Sequence, residues 1–339
     1  MPGTLKVGGN IIASHTGVEG AGTVTLGNVV LGDSAVPTNN YTFRNKIING
    51  GMQIDQRNAG ASVGPFASAS AGYKGVDRWF IASDPMTSQQ ITGNTPTGFS
   101  HYLKLTKGSG SNIDIRQTVE LPAAGQAGQF GVGSVWTLSF YAKSVAGGET
   151  LNFSSYFRLG VATGTFTAVS APTPSSITLT TNWTRYSVLF TIDVSPGASD
   201  LCIAFGLNTT ATELHLTGVQ LEEGPVATPF EHRSIGVELK LCKRYYATGR
   251  VSGLLAYAGG RQSAFTDVNF EVEMRAVPTA YVTHDGTTGT IRDNNSAVTY
   301  SGWTTIGGTN KYVAVRNGNA SVGAPSHHFS TTYFADAEL

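Results

Sequence analysis

The sequence predicts an all-β protein: a jelly-roll-like β-sandwich, a short helix and a second, smaller β-domain, preceded by an extended amino-terminal leader. Three observations predict it. From about Asn45 to Arg233 short strand-like runs alternate with turn residues, the pattern of a sandwich or barrel. One run, Ser234 to Thr248, has helical spacing instead. Residues 251–339 return to strands, with tight-turn dipeptides at Asp285-Gly286 and Asn317-Gly318 that are strong local hairpin signals.

At 339 residues the chain can form two or three domains, each burying its own core without disulfide or metal staples. Lys plus Arg equals Asp plus Glu at 22 each, so no basic field draws phosphate backbones or anionic lipid. Nucleic acid and membranes are therefore not expected partners. Charged residues make up 13% of the chain, against about 25% in an average soluble domain. The resulting Gly, Ser, Thr and Asn surface suits a protein packed against copies of itself or other subunits, although any uncharged β-protein shares it. The two cysteines, Cys202 and Cys242, match no paired-cysteine metal motif. Cys202 sits in the apolar run Leu201-Cys-Ile-Ala-Phe205 and reads as a small buried hydrophobe. Met1-Pro-Gly-Thr-Leu-Lys-Val lacks a basic region followed by an apolar stretch, so no secretory signal is expected and assembly in a cytoplasm is. No apolar run is long enough to span a bilayer. Asn152-Phe-Ser, Asn182-Trp-Thr and Asn208-Thr-Thr match glycosylation acceptors by chance in so Ser/Thr-rich a chain.

In the leader, residues 1–44, Gly3-Thr-Leu-Lys-Val-Gly-Gly-Asn-Ile-Ile returns as Gly22-Thr-Val-Thr-Leu-Gly-Asn-Val-Val. Each copy alternates apolar and polar residues between glycines, with Leu5, Val7, Val24 and Leu26 on the apolar side. Two such strands cannot bury that side by themselves, so another chain is expected to supply partners and the four residues are candidates for attachment to a larger assembly. A disordered Gly-rich leader is the competing reading. Asp33-Ser-Ala-Val-Pro-Thr-Asn-Asn40 reads as a linker.

Within 45–233 strands are expected at Arg78–Ile81, Tyr102–Thr106, Ile113–Val119, Trp136–Lys143, Leu151–Phe157, Thr184–Ile192, Leu201–Leu207 and Leu214–Glu222. The helix, in a connector spanning 234–250, is capped by Ser234 and ends near Lys243 and Arg244. Ile235, Leu239, Cys242 and Tyr246 recur along it at spacings of four, three and four. That stripe is available for burial between chains and predicts a parallel homotrimer. Residues 251–339 form the second β-domain.

Several segments, taken in order, resemble bacteriophage tail-fibre proteins. Asn45-Lys-Ile-Ile-Asn-Gly-Gly-Met52 is similar to the opening of a carbohydrate-binding-module-like jelly roll found in many of them. Leu216-Thr-Gly-Val-Gln-Leu-Glu-Glu-Gly-Pro-Val-Ala-Thr-Pro-Phe-Glu-His-Arg-Ser234 resembles its closing strand and exit, and Glu238-Leu-Lys-Leu-Cys-Lys-Arg-Tyr-Tyr246 the helix after it. Glu273-Met-Arg-Ala-Val-Pro-Thr279 and Ala335-Asp-Ala-Glu-Leu339 resemble segments of the distal domain. The resemblance implies a virion tail protein, usually trimeric, whose distal part touches the host; it supplies no catalytic residues.

The chain has no Gly-x-Ser-x-Gly elbow, His-Glu-x-x-His pair or Gly-x-x-x-x-Gly-Lys loop. Asp77, Asp84, Asp114 and Glu120 are the acids that a glycan-cleaving cleft would have to use, though acids at strand ends are more often solvated. Glu222, Glu223 and Asp55 lie where jelly rolls of this resemblance hold a structural calcium, with an exposed acidic turn as the plainer reading. His327 and His328, adjacent in a strand, point to opposite faces and cannot chelate one ion within a chain, although three chains around an axis could. No cofactor and no metal are expected. Aromatic rings are better candidates, because sugars stack on them. Tyr257, Tyr300, Trp303, Tyr312 and Tyr333 crowd the carboxyl-terminal domain, and Tyr300 and Trp303 flank the small pair Ser301-Gly302. A jelly-roll site would use Trp79 or Trp136 instead, but Trp136 lies in a strongly apolar strand and reads as core. The expectation is a non-enzymatic tail fibre or smaller appendage: the leader held by another tail or baseplate protein, the distal domain binding a host-surface glycan through Tyr300, Trp303, Tyr257 and Tyr312. A glycan depolymerase with an accessory lectin-like domain and a purely architectural virion subunit are the alternatives.

Overall fold

The computed structural model describes residues 3–7, 10–15, 30–31, 34–35, 43–66, 72–81, 86–108, 113–120, 131–153, 158–161, 166–168, 172–192, 201–209, 211–258, 261–264, 266–294, 297, 299–317 and 327–338. In the leader these are β1 (Gly3–Val7), β2 (Asn10–His15), β3 (Val30–Leu31) and β4 (Ser34–Ala35). β1 and β2 pair antiparallel with each other, Leu5 opposite Ala13. The first repeat copy thus pairs within the chain, and a two-stranded sheet still leaves its apolar side without a cover of its own. Val24 and Leu26 of the second copy lie outside the described residues.

The sandwich comprises β5 (Phe80–Ile81), β6 (Met86–Thr92), β7 (His101–Lys107), β8 (Ile113–Glu120), β9 (Val135–Ser144), β10 (Thr150–Asn152), β11 (Arg158–Val161), β12 (Phe166–Ala168), β13 (Ser176–Thr178), β14 (Thr184–Thr191), β15 (Leu201–Thr209) and β16 (Glu213–Glu223). One sheet has the order β14-β9-β16-β7-β6; the other is built on β15, flanked by β8 and by β11 and β10. The jelly-roll-like architecture follows from alternation. On β9, Trp136, Leu138, Phe140 and Ala142 are fully buried between the sheets, while Tyr141 and Lys143 point the other way. Phe140 lies 6.0 Å from Phe153 and 5.9 Å from Tyr186; a side chain so enclosed costs about 3–5 kcal/mol to truncate to Ala.

Register along β16 slips between Thr217 and Gln220, a bulge at Gly218 and Val219. Asn45-Lys-Ile-Ile-Asn-Gly-Gly-Met52 docks there: Lys46 N donates to the Leu221 carbonyl, Val219 N to the Gly50 carbonyl, and Asn45 Nδ2 to the Val219 carbonyl. Asn49, fully buried, donates from Nδ2 to the carbonyls of Ile54 and Asp77, and its own carbonyl accepts from Trp79 Nε1. The motif is a plug whose polar atoms are satisfied internally.

The helix α1 (Ile235–Lys243) is shorter than expected. Tyr246 instead opens β17 (Tyr246–Ala258), followed by β18 (Arg261–Ala264), β19 (Thr266–Asn269), β20 (Thr279–His284), β21 (Thr287–Thr288), β22 (Ile291–Asp293), β23 (Thr299–Tyr300), β24 (Trp303–Gly308), β25 (Tyr312–Asn317) and β26 (His327–Asp336). Their main sheet runs β18-β17-β26-β20-β21, with β22 also on β26; a second sheet runs β19-β25-β24. Asp285-Gly286 forms the expected turn, with φ of 49° and 80° and His284 opposite Thr287. The other expected turn, Asn317-Gly318, lies outside the described residues from Gly318 on; β25 pairs with β24 and β19, and β26 belongs to the main sheet.

A buried polar seam joins the end of β26 to the sandwich. Arg78, 1% exposed, donates to Glu338 and to the Thr118 carbonyl, its guanidinium 3.4 Å from the centre of the Tyr245 ring. Arg57 lies 3.1 Å from Asp336 and 3.4 Å from Glu338 and covers the Tyr246 ring at 3.5 Å. Arg244 and the Tyr245 hydroxyl both donate to Glu120.

Candidate functional site: an aromatic face on the five-stranded sheet

The outer face of the sheet β14-β9-β16-β7-β6 is covered only in part. Over Thr137, Ser139, Gln220 and Glu222, all buried, lies the segment 224–233: the Glu222 carboxylate accepts from Thr228 N and Oγ1, and Gln220 Oε1 accepts from Glu231 N. Beyond this cover, pairing register sets Lys143, His215, Lys104 and Gln89 side by side on adjacent strands, all on the outer face.

Rings gather around that row. Trp183, just before β14, lies 5.4 Å edge-on from Tyr102, which lies 4.8 Å from His215. The Lys143 ammonium lies 5.1 Å from the Trp183 ring centre, and Trp183 Nε1 donates to the Asn94 carbonyl at 2.7 Å, fixing the indole. Next to them Tyr141 meets Phe99 at 5.4 Å, and Phe99 meets Phe230 at 4.9 Å and His232 at 5.2 Å. Gly218 makes this second group possible: at φ 62° it sits under both rings, and a Cβ would stand 2.6 Å from Phe99 Cζ and 2.9 Å from Tyr141 Cδ2. Phe99, Phe230 and His232 line a cleft together with Gly51, Gln53 and Arg233.

Burial lowers the His215 pKa, against the opposing hydrogen bond to Glu213, so the imidazole is neutral at pH 7. Burial pushes Glu213 up, but hydrogen bonds from His215 and Lys104 outweigh it and hold the carboxyl below its usual range. Both Glu213 oxygens are engaged, one with His215 at 2.6 Å and the other with Lys104 at 3.1 Å. Burial also raises Tyr102 and lowers His101. Tyr102 is itself buried and backs the group, whereas Trp183, Tyr141, Phe99 and Phe230 are half-buried; such rings beside amide and ammonium donors can hold a ligand with flat apolar faces and hydroxyl rims.

The residues expected from sequence lie elsewhere. Trp303 is 2% exposed and stacks on Phe329 at 5.8 Å within the core of the C-terminal sheets, so its ring offers no face to a ligand. Tyr300 and Tyr333 pack half-buried against the same core. Tyr312 is 38% exposed; Tyr257 is on β17, and its side chain lies outside the described residues. Trp79 and Trp136 are both fully buried. Along the stripe, Ile235 is 62% exposed and Leu239 half-buried, but Cys242 and Tyr246 are buried within their own chain and cannot meet another. Burial raises the Cys242 thiol well above its usual pKa.

The candidate acids are also accounted for. Asp77 is 1% exposed and accepts from Gln56 N and Nε2, and Glu120 is taken by Arg244 and Tyr245. Asp84 and the Asp114 side chain lie outside the described residues, as does the His327 side chain, while His328 is exposed. Asp55 accepts from Asn58 N and Gly60 N, and Glu222 from Gln220 and Thr228, so both spend their oxygens on protein donors; Glu223 is exposed. Among the described residues no group of three or more His, Cys, Asp or Glu could hold a metal, and no helix is long and apolar enough to cross a membrane.

No protein-family model and no curated protein sequence matches the chain. Among solved structures it is similar to a protein described as sugar-binding from Bacteroides thetaiotaomicron, at 13% identity over 53% of this chain and 100% of that one, with a TM-score of 0.36. It is also similar to a domain of tailspike protein 4 of bacteriophage CBA120, at 18% identity over 53% of this chain and 22% of that one, TM-score 0.33. A third is a xylan-binding domain from Paenibacillus barcinonensis, at 14% identity over 50% and 99% of the two chains, TM-score 0.31. Likeness of this degree says nothing of activity; the face's own geometry has to carry the function.

Proposed function

We propose that the chain is a non-enzymatic, glycan-binding attachment protein of a bacteriophage tail, a fibre or smaller appendage, which holds a host-surface glycan on the outer face of its five-stranded sheet. One observation carries the binding role: Trp183, Tyr102, Tyr141, Phe99 and Phe230 gather on one sheet face beside Lys104, Lys143 and Gln53. Among the described residues the carboxylates of that face, Glu213, Glu222 and Glu231, each accept from protein donors, which favours binding over hydrolysis, since a glycosidase needs two available carboxyl groups across the bond. The tail assignment rests on the sequence segments that resemble tail fibres. With it go a division into a leader (1–44), a sandwich (45–233), a connector (234–250) and a distal unit (251–339), a homotrimer, and a leader held through Leu5 and Val7 by another tail or baseplate protein, outside any membrane and without cofactor or nucleic acid.

The test is adsorption of purified protein to an array of bacterial surface polysaccharides. Trp183→Ala is expected to lose at least tenfold in apparent affinity, as for one lost stacking residue of about 1.5–3 kcal/mol, while Tyr312→Ala binds like the parent. Equal retention of the Trp183→Ala protein, or loss with Tyr312→Ala alone, moves the site off the sheet. Truncation at Arg250 is not a usable test, because it cuts β17 and strands Arg78 without Glu338.

A further inference from the structure

The charges on the aromatic face do not cancel. Facing the row from its four strands and from β14 are Lys143, His215, Glu213, Lys104, Gln89 and Arg185. Lys104 and Glu213 neutralise each other at 3.1 Å, and His215 is held neutral by burial. Arg185 donates to Ser139 Oγ and the Thr228 carbonyl, both uncharged acceptors. Lys143 rests over the Trp183 ring, and among the described residues no carboxylate comes within ion-pair distance of it or of Arg185. A chain of zero formal charge, with only 13% charged residues, thus places two uncompensated cations on the face that also collects its rings. A cation held over an indole is half-buried yet mobile on a four-carbon stem, and a ligand anion competes well for it.

We propose that this face selects acidic sugars, with the Lys143 ammonium pairing with a sugar carboxylate while the Trp183 ring, backed edge-on by Tyr102, receives the adjoining ring. The proposal rests on the reading of this face as a glycan site and adds the class of sugar. Arg185 adds positive field at the same edge without leaving its protein partners.

The experiment uses the full chain and an array in which each uronic-acid-containing polysaccharide, polygalacturonate included, is printed in native and carboxyl-reduced form. Native acidic forms are expected to bind at least about tenfold better than their reduced counterparts, as a charge-assisted hydrogen bond implies. The advantage shrinks in 0.5 M NaCl. Lys143→Met is expected to abolish the preference without changing the melting temperature, and Lys143→Arg to keep it. Equal binding of native and reduced forms, or a preference that survives Lys143→Met, overturns the acidic-sugar proposal while leaving the glycan reading intact. Binding to neither form, or binding that Trp183→Ala leaves unaltered, overturns the glycan reading itself and this proposal with it.

Discussion

Replacing Glu338 by Ala tests whether the buried seam holds the C-terminal sheets against the sandwich. The Glu338 side chain is 4% exposed and that of Arg78 1%. Burial alone would lower the Arg78 pKa, and the Glu338 carboxylate, with smaller contributions from Tyr73, Tyr245 and Cys242, more than offsets it; burial in turn raises Glu338, against Arg78 and Arg57. Without the carboxylate, Arg78 keeps the Thr118 carbonyl at 2.7 Å and the faces of Tyr245 and Tyr73, but loses its counter-charge. Arg57 keeps Asp336 at 3.1 Å and is not stranded. Breaking one side of a buried pair costs about 3–5 kcal/mol, and the contacts that Arg78 retains put this case near the lower figure. For a cooperative unit of about 150–250 residues, ~3 kcal/mol lowers Tm by about 6–12 °C. Differential scanning calorimetry at pH 7 reads the shift, and a double-mutant cycle with Arg78→Met assigns it, since removing the stranded charge should recover most of the loss. A shift under about 2 °C, or losses that simply add in the double variant, would refute the reasoning.

Burial pushes the Asp77 pKa up to about 7 despite hydrogen bonds from Gln56. The unfolded chain releases that proton near 3.8 and the folded chain near 7, so between these values the folded state binds more protons and stability falls as pH rises. Thermal melts from pH 5 to 8 should show this slope in the parent and a flatter one in Asp77→Asn; an unchanged slope contradicts it. Gly218→Ala places a Cβ against Phe99 and Tyr141 at a positive φ and should cost about 1–3 kcal/mol by urea titration, with weakened glycan retention. A cost below about 0.5 kcal/mol would mean that the rings yield freely. Ile235→Asp, at an exposed helix position next to exposed Val237, should convert a trimer to monomers by light scattering without destabilising the chain, and a persistent trimer would place the interface elsewhere.

The sandwich was legible because its longest strands alternate strictly. Trp136, Leu138 and Phe140 read as one face, and β7, β8, β14 and β16 fall within two residues of their expected bounds. β6, with the sequence Met-Thr-Ser-Gln-Gln-Ile-Thr, was missed because its inward positions include Ser88 and Gln90, whose burial comes from tertiary contacts and not from apolarity. The helical spacing runs on to Tyr246, past the end of α1, but Tyr246 is held in a strand by pairing with Asp336, 90 residues away in sequence. The proposed sheet-face site has no comparable signal in the sequence. Aromatic density near the C-terminus drew attention to Trp303, which fills a core between two sheets. Phe99 and Phe230 are far apart in sequence and meet through the bulge at Gly218 and the return of segment 224–233, and Trp183 reaches Tyr102 and His215 only through strand pairing. The outward position of Tyr141 and Lys143 on β9 was the one local signal.

The most direct test of the sheet-face site is a crystal structure of the full chain soaked with the polysaccharide fragment that the array retains best. Difference density for a sugar ring against Trp183, with a polar contact to Lys143 or Lys104, is the predicted result. Density at Tyr300 or Tyr312 on the C-terminal sheets, with the face around Trp183 empty, would contradict it.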